Sequence, residues 1–465
     1  MKRTAVINVV GLSESLLGPA TPRIQAFREA GSFSRIDPAL PAVTCTAQAT
    51  YLTGLSPSEH GIVGNGWYNR ELAEVHFWKQ SNRLVRGEKL WEVLRRQAPG
   101  FTCAQLFWWF NMYSSADWSI TPRPMYPADG RKIFDIYAWP YSIRPEIKRE
   151  LGEFPFPCFW GPAAGIDTAQ GAADSVSRWI ARAAQWIETK FSPSLNLIYL
   201  PHLDYNLQRL GPAHPAISED LCRIDHIVGD LIDFFARRSV QVILLSEYGI
   251  SAVDSAVHLN RLFREQGWLA IKEELNRELL DFGASRVFAV ADHQVAHIYC
   301  QEAGLLGPVQ ALLEKQTGIQ EVLAGPTRAV RGLDHPRAGD LIAIAAARSW
   351  FTYYYWLDDA KAPDFARTVD IHRKPGYDPA ELFLDPAIPM VRAKIAWLLL
   401  QKRLGLRTLL NVIPLDPSLV RGSHGCRPAD AREWPVLITS RKEVLPKEGI
   451  GAGEVFDVLR RYCTP

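Results

Sequence analysis

The sequence is short of cysteine, has no long apolar run and carries no excess of charge of either sign. Its seven cysteines are scattered over 465 residues, an odd number without a Cys-x-x-Cys pair. That excludes a zinc ribbon and a disulfide-stapled scaffold and suits a reducing compartment, so a cytoplasmic location is expected. No uncharged stretch reaches the roughly 18 to 20 residues that cross a bilayer. The most apolar, Ile395–Leu400, is closed off by Lys394 and Lys402, and no membrane span is expected. The N-terminal run Ala5–Val10 is too short for a secretory h-region and has no Ala-x-Ala exit. Lys+Arg (52) and Asp+Glu (50) nearly cancel, so nothing draws the whole chain to a nucleic-acid polymer or an anionic surface, and only local basic patches are left open. Three common catalytic signatures are also missing: Gly-x-x-x-x-Gly-Lys-Ser/Thr, Gly-x-Ser-x-Gly and His-Glu-x-x-His. P-loop chemistry and the two commonest alternative hydrolases go with them. Gly449–Gly453 follows no clear strand and reads as a turn before a terminal helix, Val455–Tyr462.

What is present is the alternation of an α/β protein. Ala5–Val10, Leu195–Leu200, Val240–Leu245 and Leu341–Ala347 are almost continuously apolar, as strands buried on both faces are. Between the second and third, Leu221, Ile224, Ile227, Leu231 and Phe234 recur at helical spacing behind a candidate N-cap, Ser218. A second helix, with Val176, Trp179, Ile180, Ala183, Trp186 and Ile187 on one stripe, precedes Leu195. Strand, helix, strand in that order predicts a doubly wound, mostly parallel sheet with helices on both faces. The reading is one domain over 1–465 with approximate insertions at 66–162 and 283–416. Both insertions are rich in aromatic residues, as in Phe107–Tyr113 and Trp350–Trp356. Such clusters form local cores or line a cleft for a substrate ring.

Ligands of such sheets sit outside the carboxyl ends of the strands. There the sequence places Gly11-Leu-Ser13, then His202 and Asp204 with Gln208, then Ser246-Glu247-Tyr248-Gly249, and far downstream Gly422-Ser-His424-Gly425. Carboxylates and imidazoles gathered from several strand ends are what metal-assisted hydrolysis needs.

One segment is far more specific. Pro41-Ala-Val-Thr44 runs on to Thr53-Gly54, then Pro57-Ser-Glu-His60-Gly61-Ile62 and Asn65. This order resembles the alkaline phosphatase superfamily, in its type I phosphodiesterase/nucleotide pyrophosphatase branch. The resemblance implies an alkaline phosphatase-like fold with inserted cap subdomains, a nucleophile at Thr44 and a phosphate contact at Asn65. His60 reads as structural. A helix start suits a nucleophile that attacks phosphorus, because its N–H groups and dipole stabilise the phosphoryl anion. The likeness continues through Asp204, Gly211-Pro212, Lys374–Pro379 and His424. It implies metal ligands at Asp204, Gln208, Glu247 and His424, and a divalent metal cofactor, zinc first among candidates, as one ion or two.

The departures from the family pattern are as informative. The first ligand, an Asp before Gly, is here Val10; Asp-His after the third strand is Glu247-Tyr248; the His after Asp204 is Gln208. Without a nearby cation or base a hydroxyl has no useful anionic population, so Thr44 needs a substitute activator. Candidate recruits are His202, Asp292, His293, His297, Asp370 and His372, with Arg373 or Lys374 to replace lost positive charge. Two functional readings follow. One is a metal-assisted phosphoester hydrolase acting on a small organic phosphate. The other is a catalytically impaired member of the family that binds or carries a small molecule. Oligomeric state is not legible.

Overall fold

The computed structural model describes residues 2–168, 171–442, 445–446 and 448–464. Its strands, in chain order, include β1 (Thr4–Val9), β2 (Ser32–Asp37), β3 (Cys103–Leu106), β4 (Trp118–Pro122), β5 (Ile136–Trp139), β6 (Leu195–Leu200) and β7 (Gln241–Leu245). They continue with β8 (Val287–Asp292), β9 (Val295–Cys300), β10 (Ile319–Ala324), β11 (Leu341–Ala345), β12 (Val436–Thr439) and β13 (Ile450–Gly451). The helices that matter below are α1 (Pro22–Ala30), α2 (Thr44–Thr53), α3 (Ser175–Phe191), α4 (His202–Leu210), α5 (Ile217–Ala236), α6 (Val391–Arg403) and α7 (Val455–Cys463).

Nine strands form the main sheet in the order β13-β2-β12-β7-β1-β6-β3-β4-β5. The central run β7-β1-β6-β3-β4 is parallel throughout, with Val6 opposite Leu197 on one side and Ile243 on the other. Antiparallel pairs flank it at β12 and β5. β1, β6 and β8 are buried at every residue, which is why their sequences do not alternate. Helices α1, α3, α4 and α5 pack as one group, and α2 and α7 as another. The expected doubly wound, mostly parallel architecture is the one observed.

Two local expectations are corrected. α5 begins at Ile217 behind Ala216, with no side-chain cap. Successive turn bonds, His214 N–H to Gly211 and Ile217 N–H to His214 at 3.0 Å, feed the chain into the helix before Ser218 is reached. The apolar run at 341 is a buried strand, but of a separate four-stranded antiparallel sheet, β8-β9-β11-β10. Apolar continuity reports burial on both faces, not which sheet a strand joins.

The 66–162 stretch is shared between the sheets. The hairpin Gly66–Asn69/Glu74–Phe77 sends Tyr68 and Phe77 into the core of the second sheet, whereas β3, β4 and β5 extend the main one. The 283–416 stretch carries the second sheet, the buried Trp350–Trp356 segment and α6. A third apolar cluster, with Cys45 and Ala49 of α2 against Ile342 and Ile344 of β11, joins the second sheet to the helix that bears Thr44.

Candidate active site

α2 is buried over all ten of its residues. Thr44 is its first residue, behind Val43, which offers no side-chain cap. The cap comes from elsewhere: Asn65 Oδ1 accepts the Cys45 N–H at 3.0 Å. Asn65 is itself fixed to β8, its backbone N–H and its Nδ2 donating to the two oxygens of Asp292 at 2.7 and 3.0 Å. The side-chain oxygen and one N–H of the amide are therefore engaged with protein partners, which leaves the second N–H for the phosphate contact expected of Asn65. His60 has both ring nitrogens in bonds, to Thr50 and to the Ile62 N–H. It is structural.

The ends of β6 and β7 bring the next groups. Asp204 and Gln208 share one face of α4, four residues apart, and Gln208 Nε2 donates to Asp204 Oδ2 at 2.9 Å. Tyr248 OH donates to Asp204 Oδ1 at 3.1 Å and lies 3.3 Å from Thr44 Oγ1. A phenol thus stands between the threonine and the aspartate. Glu247, beside it, is wholly buried. Its Oε1 accepts from Asn8 Nδ2 at 2.5 Å and from Gln48 Nε2, while Oε2 has no partner. Val10, fully buried, contributes no polar atom.

His424 arrives on a two-residue strand, Gly422–Ser423, paired with Ser251–Ala252. Two glycines make that approach feasible. A Cβ on Gly422 would lie 2.1 Å from the Leu207 carbonyl of α4; one on Gly425, at φ +125°, would lie 2.9 Å from the Gln294 nitrogen. The segment is then clamped to the approach to α2: the Ala42 N–H donates to Gly425 O at 2.7 Å, and His424 Nδ1 donates to Ala42 O at 2.7 Å. His424 Nε2 is buried, without a hydrogen-bond partner, 4.0 Å from Asp204 Oδ1.

His293 comes from the hairpin between β8 and β9 and holds a left-handed backbone, φ +61°, uncommon for a residue other than glycine. Its Nδ1 is 2.9 Å from Asp292 Oδ1 and its Nε2 is also bare. Four rings stack in a column: Tyr248 on His424 (centroids 3.6 Å), His424 on His293 (3.8 Å), His293 on Tyr377 (3.6 Å). The column ends on α4, since Tyr248 OH reaches Asp204 and Tyr377 OH donates to Gln208 Oε1 at 2.8 Å.

The electrostatics are those of a site short of positive charge. Burial pushes the Asp204, Glu247 and Asp292 carboxyls up to about 7, about 8 and about 6. Burial holds the His424 and His293 imidazoles well below their ordinary range, hence neutral. No cation compensates. Lys374, proposed to supply one, is buried and paired with Asp378 at 2.6 Å and Glu381 at 2.8 Å; Arg373 pairs with Asp370 at 2.6 Å.

Of the other recruits, His202 lies 3.2 Å from Asp220 and hydrogen-bonds Ala173 O. His297 is tied to Val63 O and the Gly339 N–H, and His372 is exposed. The structure therefore gathers Thr44, Asp204, Gln208, Glu247, His424, Asp292 and His293, with Asn65 behind the helix start. Sequence reasoning missed Tyr377, which sits inside the Lys374–Pro379 motif, and the amides of Asn8 and Gln48. The signal for Asn8 was a polar residue inside an otherwise apolar strand, which burial obliges to find a partner. Beside the column, Trp78 packs on Trp109, Trp160 and Tyr377. There a crevice with room for little more than one water molecule is lined by Trp78, Trp160, Lys374 and Tyr377.

Among the described residues no three His, Cys, Asp or Glu side chains are already gathered as a metal site. A sequence model of type I phosphodiesterase / nucleotide pyrophosphatase matches residues 4–378. An uncharacterised pyrophosphatase/phosphodiesterase of Schizosaccharomyces pombe is 21% identical over 250 residues, 50% of this chain and 42% of that protein. Human ectonucleotide pyrophosphatase/phosphodiesterase family member 1 is 22% identical over 258 residues, 52% and 23% of the two chains. The chain thus covers less than half the length of these curated relatives. Among solved structures, phosphonoacetate hydrolase from Sinorhizobium meliloti superposes with TM-score 0.63 at 12% identity, covering 100% of this chain and 96% of that one. Murine ectonucleotide pyrophosphatase / phosphodiesterase 5 gives 0.58 at 14%, covering 99% and 95%. At such identity these two structures speak to fold alone.

Proposed function

On the premise that this chain belongs to the type I phosphodiesterase/nucleotide pyrophosphatase family, whose sequence model spans most of it, we propose that it hydrolyses a phosphoester of a small organic molecule with Thr44 as nucleophile. The observation that carries the reading is the chain Thr44 Oγ1, Tyr248 OH, Asp204 Oδ1 at a helix start, with links of 3.3 and 3.1 Å. Thr44 Oγ1 forms the bond to phosphorus as the bond to the leaving oxygen breaks, and its proton passes through the phenol to the carboxylate. Water then cleaves the phosphothreonine. Of the backbone N–H groups that open α2, the Cys45 N–H is held by Asn65, and those not so held would face the phosphoryl oxygens. The aromatic cluster around Trp78 and Trp160 takes the organic ring.

The donor set decides what cation this site suits. On the nucleophile side Val10 offers no ligand, two amides occupy Glu247 Oε1, and Tyr248 fills the span from Thr44 to Asp204. That side leaves Glu247 Oε2 bare. The far side comes nearer to a cation site: His424 and His293 each have Nδ1 bonded to an oxygen and Nε2 bare, the state in which a metal-ligating histidine is held. Asp204, His424 and His293 would hold one divalent cation, zinc being suited to nitrogen and oxygen donors. When bound, it supplies positive charge for the leaving oxygen.

A binding or carrier role is the second reading, favoured by closure of the site: Thr44 is 4% exposed and Asp204 7%. Turnover of bis(p-nitrophenyl) phosphate by wild type and Thr44→Ala separates the two. The hydrolase reading expects turnover that Thr44→Ala abolishes at unchanged thermal stability; wild-type turnover in the variant overturns Thr44, and no turnover in either favours the carrier.

A further inference from the structure

The strongest feature that hydrolysis leaves unexplained is α6 and the chain around it. From Pro386 to Leu415 there is no Asp or Glu, while Arg392, Lys394, Lys402, Arg403 and Arg407 are basic. α6 has no buried residue. Its inner side is shallowly seated: Val391 and Ile395 lean on Ala380, Val412 and Ile413, and Lys394 Nζ donates to Asn411 O at 3.0 Å. Its outer side is apolar. Ala393, Ala396, Trp397, Leu400 and Leu404 recur at helical spacing along one stripe, with Trp397 59% and Leu404 71% exposed. Arg392 and Arg403, seven and four residues either side of Leu399, form a basic row along that stripe's edge. Met390 (80% exposed), Leu406 and Leu409 extend the apolar surface past both helix ends.

An apolar stripe edged by unpaired basic groups, with no carboxylate in thirty residues of chain, has a definite complement. Two copies meeting here would bring like charges together. A surface that is anionic outside and apolar beneath satisfies both rows at once.

We propose that α6 forms a docking face for an anionic lipid bilayer, on which the helix lies in the plane of the interface. At 1.5 Å per residue its 13 residues make a rod of about 20 Å, enough to lie on a membrane but not to cross it. The face adjoins the site through one short segment, since Ala380, which supports α6, follows Tyr377 by three residues. The near-neutral net charge of +2 for the whole chain makes the attraction a property of this patch.

Flotation of the full chain with vesicles of phosphatidylcholine, alone or mixed with phosphatidylserine, tests the proposal. Binding is expected to the mixed vesicles only and to weaken with added salt. Arg392→Gln with Arg403→Gln should lower affinity roughly twenty-fold, and Trp397→Glu with Leu404→Glu should abolish binding, with circular dichroism and thermal midpoint as in wild type. Three results would overturn it: no flotation with mixed vesicles, equal binding to both compositions, or a wild-type dimer that Trp397→Glu splits while vesicles capture nothing.

Discussion

The two sides of the candidate active site have met the loss of metal ligands in opposite ways. Beside Thr44, neutral protein groups fill the space: Asn8 and Gln48 donate to Glu247, and the Tyr248 phenol reaches Asp204. On the far side the His424 imidazole lies 4.0 Å from the aspartate and, like His293 stacked beside it, has a bare Nε2. Buried polar groups without partners are costly, and both sides carry them: oxygens on the first, Glu247 Oε2 and Asn8 Oδ1, and imidazole nitrogens on the second. His60 and His297 have all their ring nitrogens engaged, whereas His202 and His335, away from the site, share a bare Nε2 with His424 and His293.

That comparison can be broken or sharpened in order of expected effect. Thr44→Ala should remove turnover altogether, a loss of at least about a thousandfold for a covalent nucleophile, read by aryl phosphodiester kinetics. Tyr248→Phe keeps the ring stack but cuts the path from Thr44 to Asp204. It should cost roughly a hundredfold in kcat, the ordinary scale of positioned proton transfer, with metal content unchanged and stability lowered by about 1–3 kcal/mol through the donor lost to Asp204; full activity would show that the phenol is only a filler. Gln48→Leu leaves Glu247 short of one donor and should destabilise by about 1–3 kcal/mol in denaturant unfolding without changing metal content, because that side binds no ion in this account.

A further effect is on pH dependence away from the site. Burial holds the His60 imidazole down to about 3 in the folded protein, against an ordinary value of 6.5. A depressed folded value means stability that is present above pH 6.5 and is lost as pH falls toward 3. The thermal midpoint should decline over that window, and His60→Gln should flatten the decline; an unaltered slope would mean that other groups govern it.

The fold was largely legible because its signals are local. Uninterrupted apolar runs ending in glycine-bearing turns located β1, β6 and β7, and helical stripes located α3 and α5. The nucleophile segment was legible because Pro41–Asn65 is one stretch of chain. The second half of the site was not, since it is assembled by tertiary packing. His293 sits on a hairpin of a different sheet, and only the clamp of Gly422–Gly425 against Leu207, Ala42 and Gln294 brings His424 beside it. The sequence offered His293 as one of six recruits with nothing to rank it. Lys374 was misjudged for the converse reason: its partners Asp378 and Glu381 are visible nearby in sequence, but the depth of their burial is not.

The proposed enzyme is a threonine-nucleophile hydrolase served by a single cation on the Asp204, His424 and His293 side. Elemental analysis of purified, unchelated protein tests this most directly. One equivalent of a divalent transition metal per chain is predicted, lost in His293→Ala and retained in Glu247→Gln. Two equivalents, or one that survives His293→Ala and leaves with Glu247→Gln, would contradict it.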